Sequence, residues 1–398
     1  MSTAPFLSYG RQAIDDDDIA AVVDVLRSDM LTTGPMVDRL EAALAERIGV
    51  KHAVVCNSGT AALYLAARGA GIGPGDTVIV PAITFVATAS ANVLAGADVV
   101  FADVDPATGL MEAKHLEAAL TAAPRGRTKA VLPVHLGGRV ADLAALQAVA
   151  AKHGAAIIED ACHALGTTYG AGAEIGACRD SLAACFSFHP VKTIAMGEGG
   201  AVTTNSPELA DEARRLRNHG MDRRAETIEN RDLGFDGNGD VNPWYYEVAE
   251  ISHNLRASDI NCALALSQLR KLDGFVARRR ELMAHYAAQL AGFAPNIRLI
   301  APGPDVQPGW HLCGVLVDFD AIGMTRRELM ARLSKRGIGS QVHYIPVNLQ
   351  PFYRRKGAGD LPGARAYYSR ALSLPLFAGM TVADVDRVVD ALRESLAA

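Results

Sequence analysis

The feature that most narrows the fold is an alternation beginning at Lys51. Short runs rich in β-branched residues, apolar throughout, are separated by Ala- and Leu-rich stretches with helical spacing. Ala53-Val-Val-Cys, Thr77-Val-Ile-Val, Val99-Val-Phe, Ala130–Val134 and Ala156-Ile-Ile-Glu-Asp read as strands. Helices are expected over Ala61–Arg68, Val86–Leu94, Leu116–Ala122 and Leu143–Lys152. Strands without a polar face need cover on both sides, and strands joined through helices run parallel. The expected architecture is therefore an α/β/α layer with right-handed crossovers. Two further strands, Leu182–Phe188 and Ala201-Val-Thr-Thr, follow without a full helix between them, so one of them is expected to run antiparallel in a mostly parallel mixed sheet.

At 398 residues the chain exceeds the roughly 250–300 at which one core stops growing, so two domains are expected. Residues 1–256 would form the large domain, with about the first 30 residues free to pack against the small one. Residues 257–398 would supply a long connecting helix, from Ser258 towards Leu290, and a small α+β domain. In that domain strands are expected near Cys313–Val317 and Ser340–Tyr344, and helices near Arg326–Lys335 and Val382–Leu396. Met221–Tyr246 is a polar Gly/Asp/Asn-rich loop, and a loop that long inside a compact protein is usually functional or mobile. The acidic run Asp15–Asp18 suits the positive end of a helix through Val22-Val-Asp-Val-Leu better than it suits a metal.

Composition excludes several classes. A net charge of −5, from 39 basic and 44 acidic residues, has the wrong sign for a general nucleic-acid binder. No apolar run approaches the ~20 residues of a membrane span, and Met1-Ser-Thr-Ala-Pro-Phe lacks the basic and apolar blocks of a secretory signal; the cytoplasm is the expected compartment. The six cysteines are scattered without CxxC pairs, as in a reduced compartment, and no zinc-knuckle spacing occurs, so no metal site is expected.

Three segments at the ends of predicted strands carry candidate chemistry, in the place where open α/β sheets gather ligand-binding groups. Asn57-Ser-Gly-Thr-Ala-Ala is compatible with an ordinary helix cap or with an anion held by backbone N–H groups. It contains neither GxGxxG nor a P-loop lysine. Ile157-Ile-Glu-Asp-Ala-Cys-His delivers Glu159, Asp160 and His163 to a strand end; capping and a hydrogen-bonded histidine is the plain structural alternative, and no GxSxG elbow supports a serine hydrolase. Ser187-Phe-His-Pro-Val-Lys precedes Gly197-Glu-Gly-Gly. Lysine is scarce in this chain, eight against thirty-one arginines, and Lys192 lies between an apolar strand and a glycine pair rather than on a charged helix face. A desolvated lysine there has a lowered pKa and reacts with carbonyl compounds; a solvated surface lysine is the alternative.

Together these motifs, with His253-Asn-Leu-Arg, Leu31-Thr-Thr-Gly-Pro, Val342-His-Tyr-Ile-Pro and Ser373-Leu-Pro, resemble the fold-type-I, PLP-dependent aminotransferases, and specifically the DegT-type nucleotide-sugar aminotransferases. The likeness runs nearly end to end. It implies pyridoxal 5′-phosphate bound by Lys192, which also shuttles a proton, and Asp160 paired with the pyridine nitrogen. Phe85 is implied to stack on the ring, His163 to lie near its hydroxyl, and Gly59, Thr60 and Ser187 to cradle the phosphate. Asn254 is implied to reach that phosphate from the neighbouring subunit of a homodimer. Within the family the likeness points to members that transfer an amino group from L-glutamate to C4 of a UDP-linked 4-keto-6-deoxy-N-acetylamino sugar, on a pseudaminic acid-type route. Another keto-sugar nucleotide as acceptor, or a catalytically silent regulatory relative, are the alternatives; Lys192, Asp160 and Phe85 together weigh against silence. Asn348 stands where relatives often carry histidine.

Overall fold

The computed structural model describes residues 5–124, 126–170, 172–303 and 305–397. The first helix, α1 (Asp16–Leu26), begins in a capping box: Asp15 accepts from the Asp18 amide and Asp18 from the Asp15 amide, both at 3.2 Å. The acidic run thus complements the helix dipole, as its position suggested. Helix α2 (Pro35–Ile48) opens with proline and stops at Gly49, whose φ of 75° suits glycine. Its own N-cap, Gly34, has no side chain to offer. Asp259, wholly buried, supplies the cap from 225 residues away, accepting from Gly34 N at 2.8 Å and Met36 N at 2.9 Å.

The central layer follows in chain order: β1 (His52–Cys56), α3 (Gly59–Gly69), β2 (Thr77–Pro81), α4 (Val86–Leu94), β3 (Asp98–Ala102), α5 (Ala113–Ala122), β4 (Thr128–Val131), α6 (Leu143–Ala151) and β5 (Ala156–Asp160). A two-residue hairpin, β6 (Thr168–Tyr169) and β7 (Ala173–Glu174), precedes β8 (Ala183–Ser187), β9 (Gly200–Thr204) and α7 (Pro207–Arg217). Seven strands form one sheet in the order β1-β9-β8-β5-β4-β2-β3. Within it β9 alone is antiparallel to its neighbours. The architecture is the mostly parallel mixed α/β sheet expected of fold-type-I enzymes.

Period-two alternation sends neighbouring residues into different cores. Ile157 packs with Leu146 and Leu116 on one face of the sheet, and Ile158 with Leu63 and Ala89 on the other. Each fully buried Ile or Leu contributes about 1.5–3 kcal/mol relative to exposure, which is why the strands read as unbroken apolar runs. A third core gathers Leu282, Tyr286, Val315, Leu329, Leu374 and Val388 around a three-stranded antiparallel sheet (Ile297–Leu299, Cys313–Val317, Ala371–Leu374). Leu7 joins it from the N-terminus.

Four local expectations need correction. The Ser258–Leu290 run is two helices, Asp259–Arg270 and Leu272–Leu290, hinged at Lys271 (φ −97°, ψ −2°). Lys271 Nζ pairs with Asp15 and with Asp18, so the break anchors this segment to α1. The strand expected over Ala130–Val134 ends at Val131, just before Pro133, which has no N–H for a ladder. Ser340–Tyr344 is not a strand. Only Gln341 pairs, with Ser373, before the chain turns into a cavity at the end of the central sheet. The Met221–Tyr246 loop holds a short bridge, Met221–Asp222 with Glu247–Val248, and a one-turn helix at Arg231–Gly234. Among the described residues no helix is long and apolar enough to cross a membrane.

The Asp259 cap yields a stability test. Replacing Asp259 with Ala removes the acceptor for two amides at the start of α2 and is expected to destabilise the fold by about 2 kcal/mol. The check is the urea midpoint, with the slope of the transition unchanged.

Candidate active site

The carboxyl ends of β1, β2, β5 and β8 converge on one cavity of about 630 Å³, closed on the far side by Gln341–Ile345 and Tyr9. Beyond β1, Ser58 caps α3, its Oγ accepting from Ala61 N at 3.0 Å. The next N–H groups, on Gly59 and Thr60, belong to the helix N-terminus, which favours an anion. Gly59 is required for closeness: a Cβ there would lie 2.7 Å from Ser187 Cβ. Beyond β2, Phe85 caps α4 and stands 54% exposed at the cavity wall, its ring 5.9 Å from Tyr344.

Asp160 ends β5 beside Cys185 of β8. Its Oδ2 accepts from Thr88 Oγ1 at 2.6 Å and its Oδ1 from Cys162 N at 3.2 Å, so the carboxyl group is held in one orientation. Lys192 lies in the β8–β9 connection, with its amine facing the same cavity. Burial lowers its pKa, opposed by Cys162 and Asp160, and a lysine so shifted is nearer to the neutral, nucleophilic amine. The Cys162 thiol is driven the other way, well above its ordinary value, chiefly by burial, and stays protonated.

A cluster of imidazoles backs the site. His163 Nδ1 accepts from Gly137 N at 3.3 Å, and its Nε2 lies 3.0 Å from the Tyr344 hydroxyl. The His311 ring centroid is 4.3 Å from that of His163, and His343 bonds Ser373 Oγ through Nδ1 at 2.9 Å. Burial, reinforced by Lys192 and by His343, holds His163 and His311 well below the usual histidine range, with His163 adding to the shift of His311; burial pushes His343 down to about 3.

Seven of the eight residues singled out from sequence, Gly59, Thr60, Phe85, Asp160, His163, Ser187 and Lys192, line this single cavity. Asn254 does not. It is exposed, its carbonyl accepts from Asn57 Nδ2 at 3.3 Å, and it lies outside the cavity of its own chain. Glu159 points to the opposite sheet face, by the same alternation that aims Asp160 inward. Asn348 is buried, with its Nδ2 bonded to Gly359 O at 2.8 Å, and it does not line the cavity. Sequence reasoning assigned nothing to Thr88, Tyr9, Gln341, His343 or Tyr344. Val342-His-Tyr-Ile-Pro was a visible signal for the last two; Tyr9 offered none.

Such a constellation, a desolvated lysine and an oriented carboxyl group beside a helix N-terminus at the edge of a mixed α/β sheet, defines a carbonyl-handling enzyme of the fold-type-I class. The sequence matches the profile of the DegT/DnrJ/EryC1/StrS aminotransferase family over residues 12–393, and the chain belongs to that family. It is 42% identical over 395 residues to the spore coat polysaccharide biosynthesis protein SpsC of Bacillus subtilis (strain 168), covering 98% of this chain and 97% of SpsC. Among solved structures it is similar to Helicobacter pylori PseC, an aminotransferase involved in the biosynthesis of pseudoaminic acid. That match has a TM-score of 0.87 and 30% identity over 98% of this chain and 99% of PseC. The putative sugar aminotransferase Spr1654 of Streptococcus pneumoniae in its PMP form gives 0.86 and 29% over 98% of each chain, and it is also solved in a PLP form. The protein is a PLP-dependent sugar aminotransferase.

Its own residues fit the cofactor. A buried amine for the aldehyde, a fixed carboxyl group, an uncovered aromatic ring and a glycine-lined helix N-terminus for a phosphate all face one space of suitable size.

The neutral histidines make stability depend on pH. Each binds fewer protons folded than unfolded, so stability is full above pH ~6.5 and falls as pH drops below it, by up to about 1.4 kcal/mol per unit per histidine. Urea midpoints measured from pH 7.5 to 5 are expected to decline. Substituting His343 by Gln is expected to reduce the slope by close to one proton.

Proposed function

We propose that this aminotransferase moves an amino group from L-glutamate to C4 of a UDP-linked 4-keto-6-deoxy-N-acetylamino sugar. The product would be a precursor of a pseudaminic acid-type surface or flagellar glycan, made in the cytoplasm by a homodimer with shared sites. The observation that carries the chemistry is the meeting of Lys192, Asp160 and the α3 N-terminus in one cavity. The likeness to PseC supports the choice of sugar. A second acceptor, another keto-sugar nucleotide of polysaccharide synthesis, is favoured by the higher identity to SpsC. In this reading residues 1–256 form the cofactor domain, and 257–398 the connecting helices and small domain.

PLP, when bound, supplies an aldehyde that condenses with amines and a ring that accepts the electron pair of a deprotonated carbon. The protein residues do the rest. Lys192 Nζ holds the cofactor at rest and, as a free amine, takes the proton from the α-carbon of the donor and hands it on. Its lowered pKa suits it to both tasks. Asp160 pairs with the pyridine nitrogen and favours its protonated form, while Thr88 keeps the carboxyl group from rotating away. Phe85 would cover the ring, His163 would lie on the side of its hydroxyl, and Gly59, Thr60 and Ser187 would hold the phosphate. Amination of the keto sugar runs the same proton transfers in reverse.

Asn254 completes the phosphate site from the partner subunit. Its exposure, and the uncovered apolar residues beside it in sequence, Ile251 at 89% and Trp244 at 72%, support a surface that is covered in a dimer.

Two experiments test these statements. Incubation with glutamate and a panel of UDP- and other nucleotide-linked keto sugars should release 2-oxoglutarate with the UDP-4-keto-6-deoxy-N-acetylamino sugar. Borohydride reduction should fix the cofactor on Lys192, and Lys192→Ala should abolish both results. For the shared site, Lys192→Ala and Asn254→Ala proteins are refolded together. If Asn254 acts across a twofold interface, each heterodimer holds one intact site and activity returns; if it acts within its own chain, none does.

A further inference from the structure

The sheet face opposite the cavity carries a buried polar group that none of the chemistry above uses. Glu159, 1% exposed, accepts from two donors: Ser181 Oγ at one carboxyl oxygen and His135 Nε2, 2.9 Å away, at the other. His135 is itself fully buried, and its Nδ1 accepts from Ala141 N at 3.3 Å. With Nδ1 occupied as an acceptor, the ring proton of His135 sits on Nε2 and is directed at Glu159. Buried polar groups this well satisfied hold a single geometry, because any other would leave a donor or acceptor unpaired.

What they hold is the turn Leu136–Gly138. His135 is its first flanking residue, and its amide bonds Asp160 O at 3.1 Å. Gly137 and Gly138 adopt φ of 71° and 95°, conformations open to glycine, and a Cβ on Gly138 would meet Trp310 Cα at 3.0 Å. This turn aims the Gly137 N–H at His163 Nδ1, while the Gly137 carbonyl accepts from His311 N at 3.1 Å and so seats the imidazole that packs on His163. Strand β5 therefore sends Asp160 to the cavity and Glu159 to the device behind it.

We propose that Ser181, Glu159 and His135 are positioning residues that fix His163 as its Nε2–H tautomer, so that His163 donates to Tyr344 and Tyr344 presents its own O–H as a donor to the cavity. The direction follows from the order of donors: Gly137 N–H into Nδ1, Nε2–H into the phenol oxygen, and the phenol hydrogen left for whatever occupies the cavity. His163 is then a donor of one fixed sense and does not serve as a base. The inference rests on membership of the aminotransferase family and is independent of which sugar is the acceptor.

The test uses holoenzyme labelled with 15N-histidine, with the His163 signals identified by their loss in His163→Gln. The wild type is expected to show a protonated Nε2 and an unprotonated Nδ1 at His163. Glu159→Leu, which leaves His135 without its acceptor, is expected to mix the two tautomers and to lower kcat about 10- to 100-fold, with KM for glutamate close to wild type. Glu159→Gln, whose amide oxygen still accepts from His135, should restore both signals and turnover. Ser181→Ala is the milder probe, expected to shift the same signals in the same direction, and it decides the matter if Glu159→Leu fails to fold. A proton on Nδ1 of His163 in the wild type overturns the proposal. So do unchanged His163 signals in folded Glu159→Leu or, failing that, in Ser181→Ala.

Discussion

Parallel pairing of β5 with β8, level at Asp160 and Cys185, is the constraint on which the rest of the site depends. Strands that run parallel bring their carboxyl ends to one edge, and the helices that follow them present their N-termini there. Ser58, Phe85, Asp160 and Ser187 all occupy that edge for this reason. The single reversal in the sheet then matters most. Because β9 runs antiparallel to β8, the connection between them starts and ends at the same edge. Lys192 is in that connection and stays above the site, whereas a helical crossover would have carried the chain to the other end of the sheet.

The cavity gathers more groups able to be cationic than anionic. Lys192, His163 and His343 line it with two carboxyl groups, Asp160 and Glu198, while His311 packs behind His163 and the buried Arg279 lies close to His311. Desolvation resolves the crowding. The histidines are held neutral, Arg279 is lowered to about 10, and Lys192 is moved towards the free amine. Among the described residues the Arg279 guanidinium bonds carbonyls of Trp310, His311 and Leu376 and pairs with no carboxylate, which costs folding free energy. It also adds positive charge beside Lys192, next to a site that must attract the cofactor phosphate.

Much of the central sheet and its helices was legible because their signals are local. Apolar runs without alternation mark buried parallel strands, and the missing helix between Ser187 and Gly200 marks the reversal. The legible part of the site was the part written in short motifs: Ser58-Gly-Thr, Glu159-Asp, and Lys192 isolated in a lysine-poor chain. What failed to show was non-local. The hinge at Lys271 depends on acidic residues in α1, and the turn of Gln341–Tyr344 into the cavity depends on one pairing with Ser373. Thr88 looks like any helix threonine until α4 is docked against β5.

The sequence by itself determined the layered α/β architecture and the cap of α1, which follow from periodicity and from residue chemistry at a helix start, and it marked Lys192 and Asp160 as candidates through motifs that resemble those of a known family. Only the tertiary structure decided which atoms face each other. It aimed Asp160 at the cavity and Glu159 away from it, set the tautomer of His163 through a glycine amide 26 residues distant, and brought Tyr9 and Tyr344 to close the site. The physical reason is that hydrogen-bond direction and desolvation depend on distances of a few ångströms between segments far apart in the chain, and no local pattern encodes them.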